Sequence, residues 1–184
     1  MILSALLQIN TKSYIINAQG KSLRIVIFKE RSMETREHFT QLDNLMPLFR
    51  EQFAAGKSVR FSPRGVSMKP MLRQGIDSVI LSPLPEKLRK YDLPLYRYPN
   101  GKYILHRIVA EKDGHFICMG DNTYTPETVL PEYCIAVVTA FCRGDKEISV
   151  ESPMYRLYCR IWVGTYPVRR FIKRAMGWLR RHLR

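Results

Sequence analysis

Residues 95–109 read LYRYPNGKYILHRIV, and this stretch decides the fold. Asn100-Gly101 separates two runs of apolar and aromatic residues, which is the strongest short signal of a β-hairpin and predicts strands over 95–98 and 102–109. Two further turn sequences follow, at Lys112-Asp113-Gly114 and at Arg143-Gly144-Asp145-Lys146. Together these turns predict a mainly antiparallel β domain over residues 57–150.

Helical patterns flank this β domain on both sides. Over residues 37–56 the apolar side chains recur every three or four residues, which predicts a helix that ends at Gly56. Residues 1–36 contain two strand-like segments, and we interpret them as an N-terminal extension outside the working domain. Residues 151–184 are helical in pattern again. We therefore expect a mainly β protein with a helix before the β domain and a basic amphipathic C-terminal helix.

The positive charge is concentrated at the C-terminal end. The 184 residues include 30 Lys and Arg against 16 Asp and Glu, a formal net charge of +14. Nine of the basic residues and none of the acidic ones lie in residues 154–184, so the rest of the chain has a formal charge of only +5. The apolar content of 46% is that of a globular protein and excludes general disorder.

Several classes of protein are excluded by what the sequence lacks. It contains no apolar run as long as the roughly 20 residues of a membrane-spanning helix. The first residues have no basic segment of the kind that opens a secretory signal. We therefore expect a cytoplasmic protein, or one peripheral to the cytoplasmic membrane. The cysteines lack metal-binding spacing and no glycine-rich nucleotide loop occurs, so neither a metal nor an organic cofactor is expected. The four cysteines are Cys118, Cys134, Cys142 and Cys159, and we expect the three that lie in apolar stretches to be buried thiols.

Three short segments contain the residue types of a nucleophilic enzyme. They are GVSMKPML at 65–72, YILHRIV at 103–109 and FICMGDN at 116–122. The first places a serine in a turn bounded by glycine and proline, the second a histidine on a strand, and the third an aspartate just after a strand. A hydroxyl, a base that takes its proton and an acid that orients the base are the groups that acyl transfer needs.

In this order and spacing, Gly-x-Ser-Met-x-Pro-x-Leu, His-Arg-Ile and Gly-Asp-Asn resemble the signal peptidase I superfamily of serine peptidases. The resemblance is to the branch with a Ser/His pair, and to small soluble signal-peptidase-like proteins. It extends over residues 59–140. It implies the family's β fold and a serine endopeptidase that cleaves a precursor or membrane-associated peptide without a metal or a cofactor.

The resemblance also implies a role for individual residues. Ser67 is the expected nucleophile, and its backbone N–H would contribute to the oxyanion hole. Met68 and Pro70 shape the turn that presents it. His106 is the expected general base, and an ordinary imidazole already titrates near neutral pH. Arg107 is expected to pair with an acidic side chain as structural support.

The sequence leaves the acidic partner of His106 open. Either Asp121 or Glu127 can orient His106, with the other bound to Arg107, and we favour Asp121 because its Gly-Asp-Asn motif is intact. Gly65 stands where some members of the family have a serine. This difference predicts a weaker oxyanion hole or a hydrogen-bond donor from another part of the chain.

The basic tail, residues 154–184, suggests a membrane partner. From Tyr166 onward an apolar stripe with Trp178 and Phe171 near its edges is surrounded by arginines, a pattern typical of interfacial helices. The alternative is that the stripe packs on the β domain and the arginines face solvent. Nucleic acid is the less favoured partner, since no groove-reading motif is visible.

Three functions thus remain after the sequence is read. The leading one is a serine endopeptidase acting on a peptide or protein substrate. A second is a non-catalytic membrane-surface or interaction module that keeps the fold. A self-cleaving, repressor-type peptidase is disfavoured, because His106 replaces the lysine of that group and no DNA-binding segment is visible before the β domain.

Overall fold

The computed structural model describes the backbone of residues 4–9, 12–19, 22–27 and 36–182, and the side chains of residues 42–176, 178 and 179. Within these ranges the chain forms twelve strands and three α-helices, so the mainly β fold class is confirmed. The first nine strands are β1 (Ser4–Ile9), β2 (Lys12–Gln19), β3 (Ser22–Ile27), β4 (Ser58–Phe61), β5 (Asp77–Ser82), β6 (Pro94–Arg97), β7 (Tyr103–Leu105), β8 (Arg107–Lys112) and β9 (His115–Met119). The last three are β10 (Glu127–Val129), β11 (Cys134–Arg143) and β12 (Lys146–Ser149).

The helices lie where the sequence predicts them. They are α1 (Arg36–Ala54), α2 (Pro153–Gly164) and α3 (Tyr166–His182). The chain leaves α1 through Gly56, whose φ of +69° is a conformation that favours glycine. Lys57 N–H then donates to Gln52 O at 2.9 Å, the bond that closes a helix of this kind.

The strands form two sheets. The larger has the order β1-β2-β3-β4-β5-β11-β6-β7, with β12 paired to β11, and the smaller has the order β10-β9-β8. The three predicted hairpins are confirmed as β6–β7, β8–β9 and β11–β12. β3 pairs in parallel with β4, so β1–β3 continue the sheet of the β domain. The predicted boundary at residue 36 adjoins residues 28–35, which lie outside the described ranges, and it stays a prediction.

The chain passes from one sheet to the other at His106. Leu105 is the last residue of β7 and pairs with Leu95, whereas Arg107 is the first residue of β8 and pairs with Met119. The sequence predicts one continuous strand over 102–109, and this prediction is wrong. The strand is interrupted because its two halves pair in different sheets, and this places residues 106 and 107 at the junction.

Two apolar clusters lie on either side of this junction. The larger one packs the main sheet against α1 and α2 and includes Phe49, Leu81 and Tyr155. The smaller one includes Ile108 and Phe116 and packs the second sheet. Because Tyr155 and its neighbour Cys159 belong to the larger cluster, the predicted tail begins as part of the core. All four cysteines are free and buried. Within the described residues, no helix is long and apolar enough to cross a bilayer.

Candidate active site

A pocket of about 360 Å³ opens beside the junction of the two sheets. Ser67, His106 and Glu127 all line it, so the fold brings together three residues that are spread over a span of 60 positions in the sequence. The apolar part of its wall includes Met68 and Leu72. Both of these side chains are largely buried.

The turn that presents Ser67 lies between β4 and β5. Leu72 N–H donates to Met68 O at 2.9 Å, which closes the turn on the far side of Ser67. Gly65 has a φ of +105°, which a residue with a Cβ adopts only under strain. This backbone requirement gives a conformational reason for glycine at a position where the resemblance suggests a serine. Pro70, on the exposed side of the turn, lines a neighbouring cavity instead of this pocket.

His106 pairs with Glu127. Its Nδ1 lies 3.1 Å from Glu127 Oε2, and because an ionised carboxylate only accepts hydrogen bonds, Nδ1 is the protonated nitrogen. The imidazole is buried, whereas the Glu127 side chain is 27% exposed at the edge of the pocket. The preference for Asp121 as the acid that orients His106 is therefore wrong. Glu127 holds that place because it opens β10, whose pairing with β9 fixes it beside the junction.

Tyr96 is a member of this group that the sequence reasoning missed. Its buried hydroxyl donates to the same oxygen, Glu127 Oε2, at 2.5 Å. The signal was present in the hairpin, because the register of β6 and β7 pairs Tyr96 with Ile104. Ile104 lies two residues before His106, and the Tyr96 hydroxyl and His106 Nδ1 meet at the same oxygen of Glu127.

Burial lowers the pKa of His106 below the ordinary 6.5, because the protein interior disfavours the charged imidazolium. Glu127 opposes this effect through its charge and its hydrogen bond but does not outweigh it. The imidazole is consequently neutral at pH 7, and its Nε2 presents a lone pair.

Arg107 pairs with Asp121 and not with Glu127. Arg107 Nε lies 2.9 Å from Asp121 Oδ1, and Nη2 lies 2.8 Å from Oδ2, so the contact is bidentate. Both side chains are almost fully inaccessible to solvent. Arg107 Nη1 also bonds Tyr155 Oη at 2.8 Å and Cys159 Sγ at 2.9 Å. The expected structural role of Arg107 thus rests on Asp121 and on α2.

The two C-terminal helices enclose Asp121. Tyr158 Oη donates to Asp121 Oδ2 at 3.0 Å, and Trp162 Nε1 donates to the Asp121 carbonyl at 3.1 Å. Arg169 Nη1 reaches the same carbonyl at 3.1 Å while its guanidinium stacks over the Trp162 ring. The sequence signal for this contact is the run of Tyr155, Tyr158 and Trp162 along one side of α2. The interpretation of residues 151–184 as a tail misses this signal.

The other two residues of Gly120-Asp121-Asn122 lie against the turn that contains Ser67. Asn122 N–H donates to Ser67 O at 2.7 Å, and its side-chain amide donates to Val66 O at 3.2 Å. A Cβ at Gly120 would lie 2.7 Å from Ser67 O and 2.9 Å from His106 Nε2. Only glycine lets these two groups approach the same point, so the motif aligns the serine turn with the imidazole.

Ser67 and His106 therefore meet across Gly120. Among the described residues no hydrogen bond joins Ser67 Oγ to the imidazole, and hydrogen bonds of this kind commonly form only in the substrate complex. Within the same residues no group of His, Cys, Asp and Glu side chains is arranged to hold a metal ion.

Comparison with known protein families finds none that matches this chain. Comparison with curated proteins likewise finds no matching relative. Support for a function therefore comes from the geometry of the site and from the three motifs.

Proposed function

We propose that this protein is a serine endopeptidase of signal-peptidase-like type that cleaves a precursor or membrane-associated peptide. The observation that supports it is the pairing of Glu127 with His106 Nδ1, which leaves Nε2 as a base directed at Gly120 and the Ser67 turn. The pocket that these residues line is large enough to receive part of an extended peptide.

The proposed reaction begins with proton transfer from Ser67 Oγ to His106 Nε2. Oγ attacks the peptide carbonyl, and the resulting oxyanion is stabilised by the Ser67 backbone N–H. His106 then returns the proton to the leaving amine as the C–N bond breaks, which leaves an acyl-enzyme. A water molecule, deprotonated by the same nitrogen, hydrolyses the ester and restores Ser67.

Glu127 acts on this reaction through His106. Its carboxylate fixes the tautomer with the proton on Nδ1 and stabilises the imidazolium that forms during attack. Tyr96 holds the carboxylate in place through the same oxygen. Ser67, His106 and Glu127 are thus the proposed nucleophile, base and orienting acid, with Asp121 assigned to the support of Arg107.

The pocket also favours one class of substrate residue. Met68, Leu72 and Leu105 give it an apolar wall, whereas Arg64 and Lys102 supply charge at its lining. We expect an uncharged, apolar side chain of the substrate to occupy the wall next to Ser67.

A fluorophosphonate probe, which reacts with activated serines, tests the proposal. We expect wild-type protein to be labelled at Ser67, as located by peptide mass analysis. Ser67→Ala should abolish the label, and His106→Ala should slow labelling by about 10²- to 10⁴-fold, the usual contribution of a general base. Ser62→Ala is the matched control, because Ser62 is an exposed serine of the same loop.

Two outcomes would contradict the proposal. Equal labelling of the wild type and all three variants would remove Ser67 as the nucleophile. A correctly folded wild-type protein that takes no label would instead favour the non-catalytic interaction module. Intact-mass analysis of candidate precursor peptides incubated with the wild type and with Ser67→Ala then identifies the bond that is cleaved.

A further inference from the structure

The outer side of α2 and α3 presents a long stripe of exposed apolar side chains. On α2 the stripe consists of Met154, Leu157 and Ile161, of which Met154 is 78% exposed. On α3 it continues through Val168, Phe171, Ile172, Met176, Trp178 and Leu179, of which Phe171 is 73% exposed. Contiguous apolar surface of this extent is uncommon on a monomer and marks an interaction site.

The stripe is continuous across the junction between the two helices. Thr165 N–H donates to Ile161 O at 2.9 Å, and Arg169 N–H donates to Thr165 O at 3.0 Å, so the helical path carries on through the junction. At 100° per residue the exposed apolar residues fall within one arc, from Met154 to Leu179. At 1.5 Å per residue this is a ridge of about 38 Å.

The opposite side of α2 is already occupied. Tyr155 and Cys159 lie in the core, and Tyr158 and Trp162 bond Asp121. The helix is therefore fixed to the β domain by one face while it exposes the other. Every apolar side chain named above is about half exposed or more, so the sheets leave much of the stripe uncovered.

Cations border the stripe, and residues 152–184 contain no Asp or Glu. The described side chains of Arg156, Arg160, Arg170 and Arg174 are exposed, and of these Arg156 pairs with Glu151 just before α2. Apolar side chains between cations, with a tryptophan among them, complement a surface that has negative charge outside and hydrocarbon beneath.

We propose that the outer face of α2–α3, which we call the basic ridge, docks on an anionic lipid bilayer. The apolar side chains enter the interfacial region while the arginines contact lipid phosphates. A nucleic acid would satisfy the arginines but leave the apolar stripe in water, and a second copy would bring like charges together. An anionic lipid surface, in contrast, can contact both the arginines and the apolar side chains of the basic ridge.

Docking would also place the membrane next to the proposed active site. A cavity of about 740 Å³ is lined on one side by Lys69 and Pro70 of the serine turn and on the other by Ile172 and Met176 of α3. A bilayer on the basic ridge thus lies beside the turn that presents Ser67. The docking surface itself does not depend on the peptidase proposal, since lipid binding is measured without any hydrolysis.

Co-sedimentation with vesicles tests the proposal on the full chain. We expect wild-type protein to bind equimolar phosphatidylglycerol and phosphatidylcholine vesicles, to bind phosphatidylcholine alone far more weakly, and to be released by salt. The double charge reversal Arg170→Glu with Arg174→Glu should weaken binding by about a hundredfold or more. Lys112→Glu with Lys146→Glu is the matched control, since it changes net charge equally at two exposed hairpin turns, and it should change binding little.

A second pair of variants isolates the apolar contribution. Phe171→Ser with Ile172→Ser should weaken binding by about tenfold or more, because two large apolar groups no longer enter the interface. Ile76→Ser with Leu84→Ser removes exposed apolar groups elsewhere on the surface and is expected to leave binding unchanged. Circular dichroism of all four double variants verifies that they are folded.

Four results would overturn the proposal. One is equal binding to both kinds of vesicle. Another is loss of binding in the control variants to the same degree as in the ridge variants. Tight binding of a DNA duplex without vesicle binding would assign the ridge to nucleic acid. Concentration-dependent dimerisation in analytical ultracentrifugation, abolished by Phe171→Ser with Ile172→Ser, would assign it to a second copy.

Discussion

His106 and Arg107 are neighbours in the chain, yet their contacts with carboxylates have opposite characters. Arg107 and Asp121 form a bidentate contact with almost no exposure to solvent, supported by Tyr155, Tyr158 and Cys159. His106 and Glu127 share one hydrogen bond at the edge of an open pocket. The contact between Arg107 and Asp121 is closed to solvent and remains formed, whereas the contact between His106 and Glu127 allows the imidazole to gain and lose a proton.

The difference follows from the place where the strand breaks. Because β7 ends at Leu105 and β8 begins at Arg107, successive side chains project into different surroundings. The Arg107 side chain enters the space closed by α2, and the His106 side chain lines the pocket. The position of an acidic residue relative to this break, more than the motif in which the residue lies, therefore determines whether that residue supports the fold or the proposed chemistry.

Removal of Asp121 should give the largest effect on stability. Asp121→Ala leaves the Arg107 guanidinium buried without its carboxylate, and we expect the free energy of unfolding to fall by about 3–5 kcal/mol. Glu127→Ala is the matched control and should cost far less, since its pair is singly bonded and partly exposed. Chemical denaturation of both variants measures the difference. Equal losses would contradict the contrast between the two pairs.

For activity we expect the reverse of the order for stability, so that neutralisation of Glu127 has a larger effect than removal of Asp121. Glu127→Gln is expected to lower kcat/KM for a cleaved peptide by about 10²-fold or more, since the tautomer of His106 is no longer fixed. Because Glu127 raises the pKa of His106, its loss should also move the acid limb of the pH profile to lower pH. A full pH–rate profile measures both effects. An unchanged limb would mean that Glu127 does not act through His106.

The contact of the serine turn with the imidazole can be tested at Gly120. In Gly120→Ala the new methyl meets the Ser67 carbonyl and the His106 ring, so we expect a loss of about 1–3 kcal/mol in unfolding free energy and of most probe labelling. Gly164→Ala, a helical glycine with no neighbour within 4 Å, is the control and should be neutral or slightly stabilising. Full labelling of Gly120→Ala would show that the turn and the ring adjust independently.

The sequence predicted the parts of the site that depend on local pattern. Turn chemistry at Asn100-Gly101 predicted the hairpin that leads to His106, and the motifs singled out Ser67 and its turn. The acid that orients His106 could not be assigned from the sequence, because the assignment depends on the register of β9 with β10 and on which side chains cover Asp121. That cover comes from Tyr158 and Trp162, more than 30 residues further along the chain, and long-range packing of this kind leaves no periodic signal at the motif itself.

The pH dependence of the wild-type protein should report on His106. Its pKa in the folded protein is below 6.5, so the unfolded chain takes up the proton first as the pH falls. Unfolding free energy should therefore decline below about pH 6.5, until the folded imidazole titrates as well. Denaturation of the wild type and of His106→Gln across this range isolates the contribution. A decline of the same size in both proteins would assign it to other groups.

The smallest expected effect belongs to Tyr96. Tyr96→Phe removes one hydrogen bond to Glu127 and should cost about 0.5–1.5 kcal/mol of stability. The carboxylate, relieved of this donor, attracts the imidazolium more strongly, so the acid limb of activity should move to higher pH, opposite to the shift expected for Glu127→Gln. Tyr98→Phe, which alters the neighbouring ring that packs edge-on against Tyr96, is the control. If the acid limbs of Tyr96→Phe and Glu127→Gln moved in the same direction, Tyr96 and Glu127 would not be acting on His106 as one hydrogen-bonded chain.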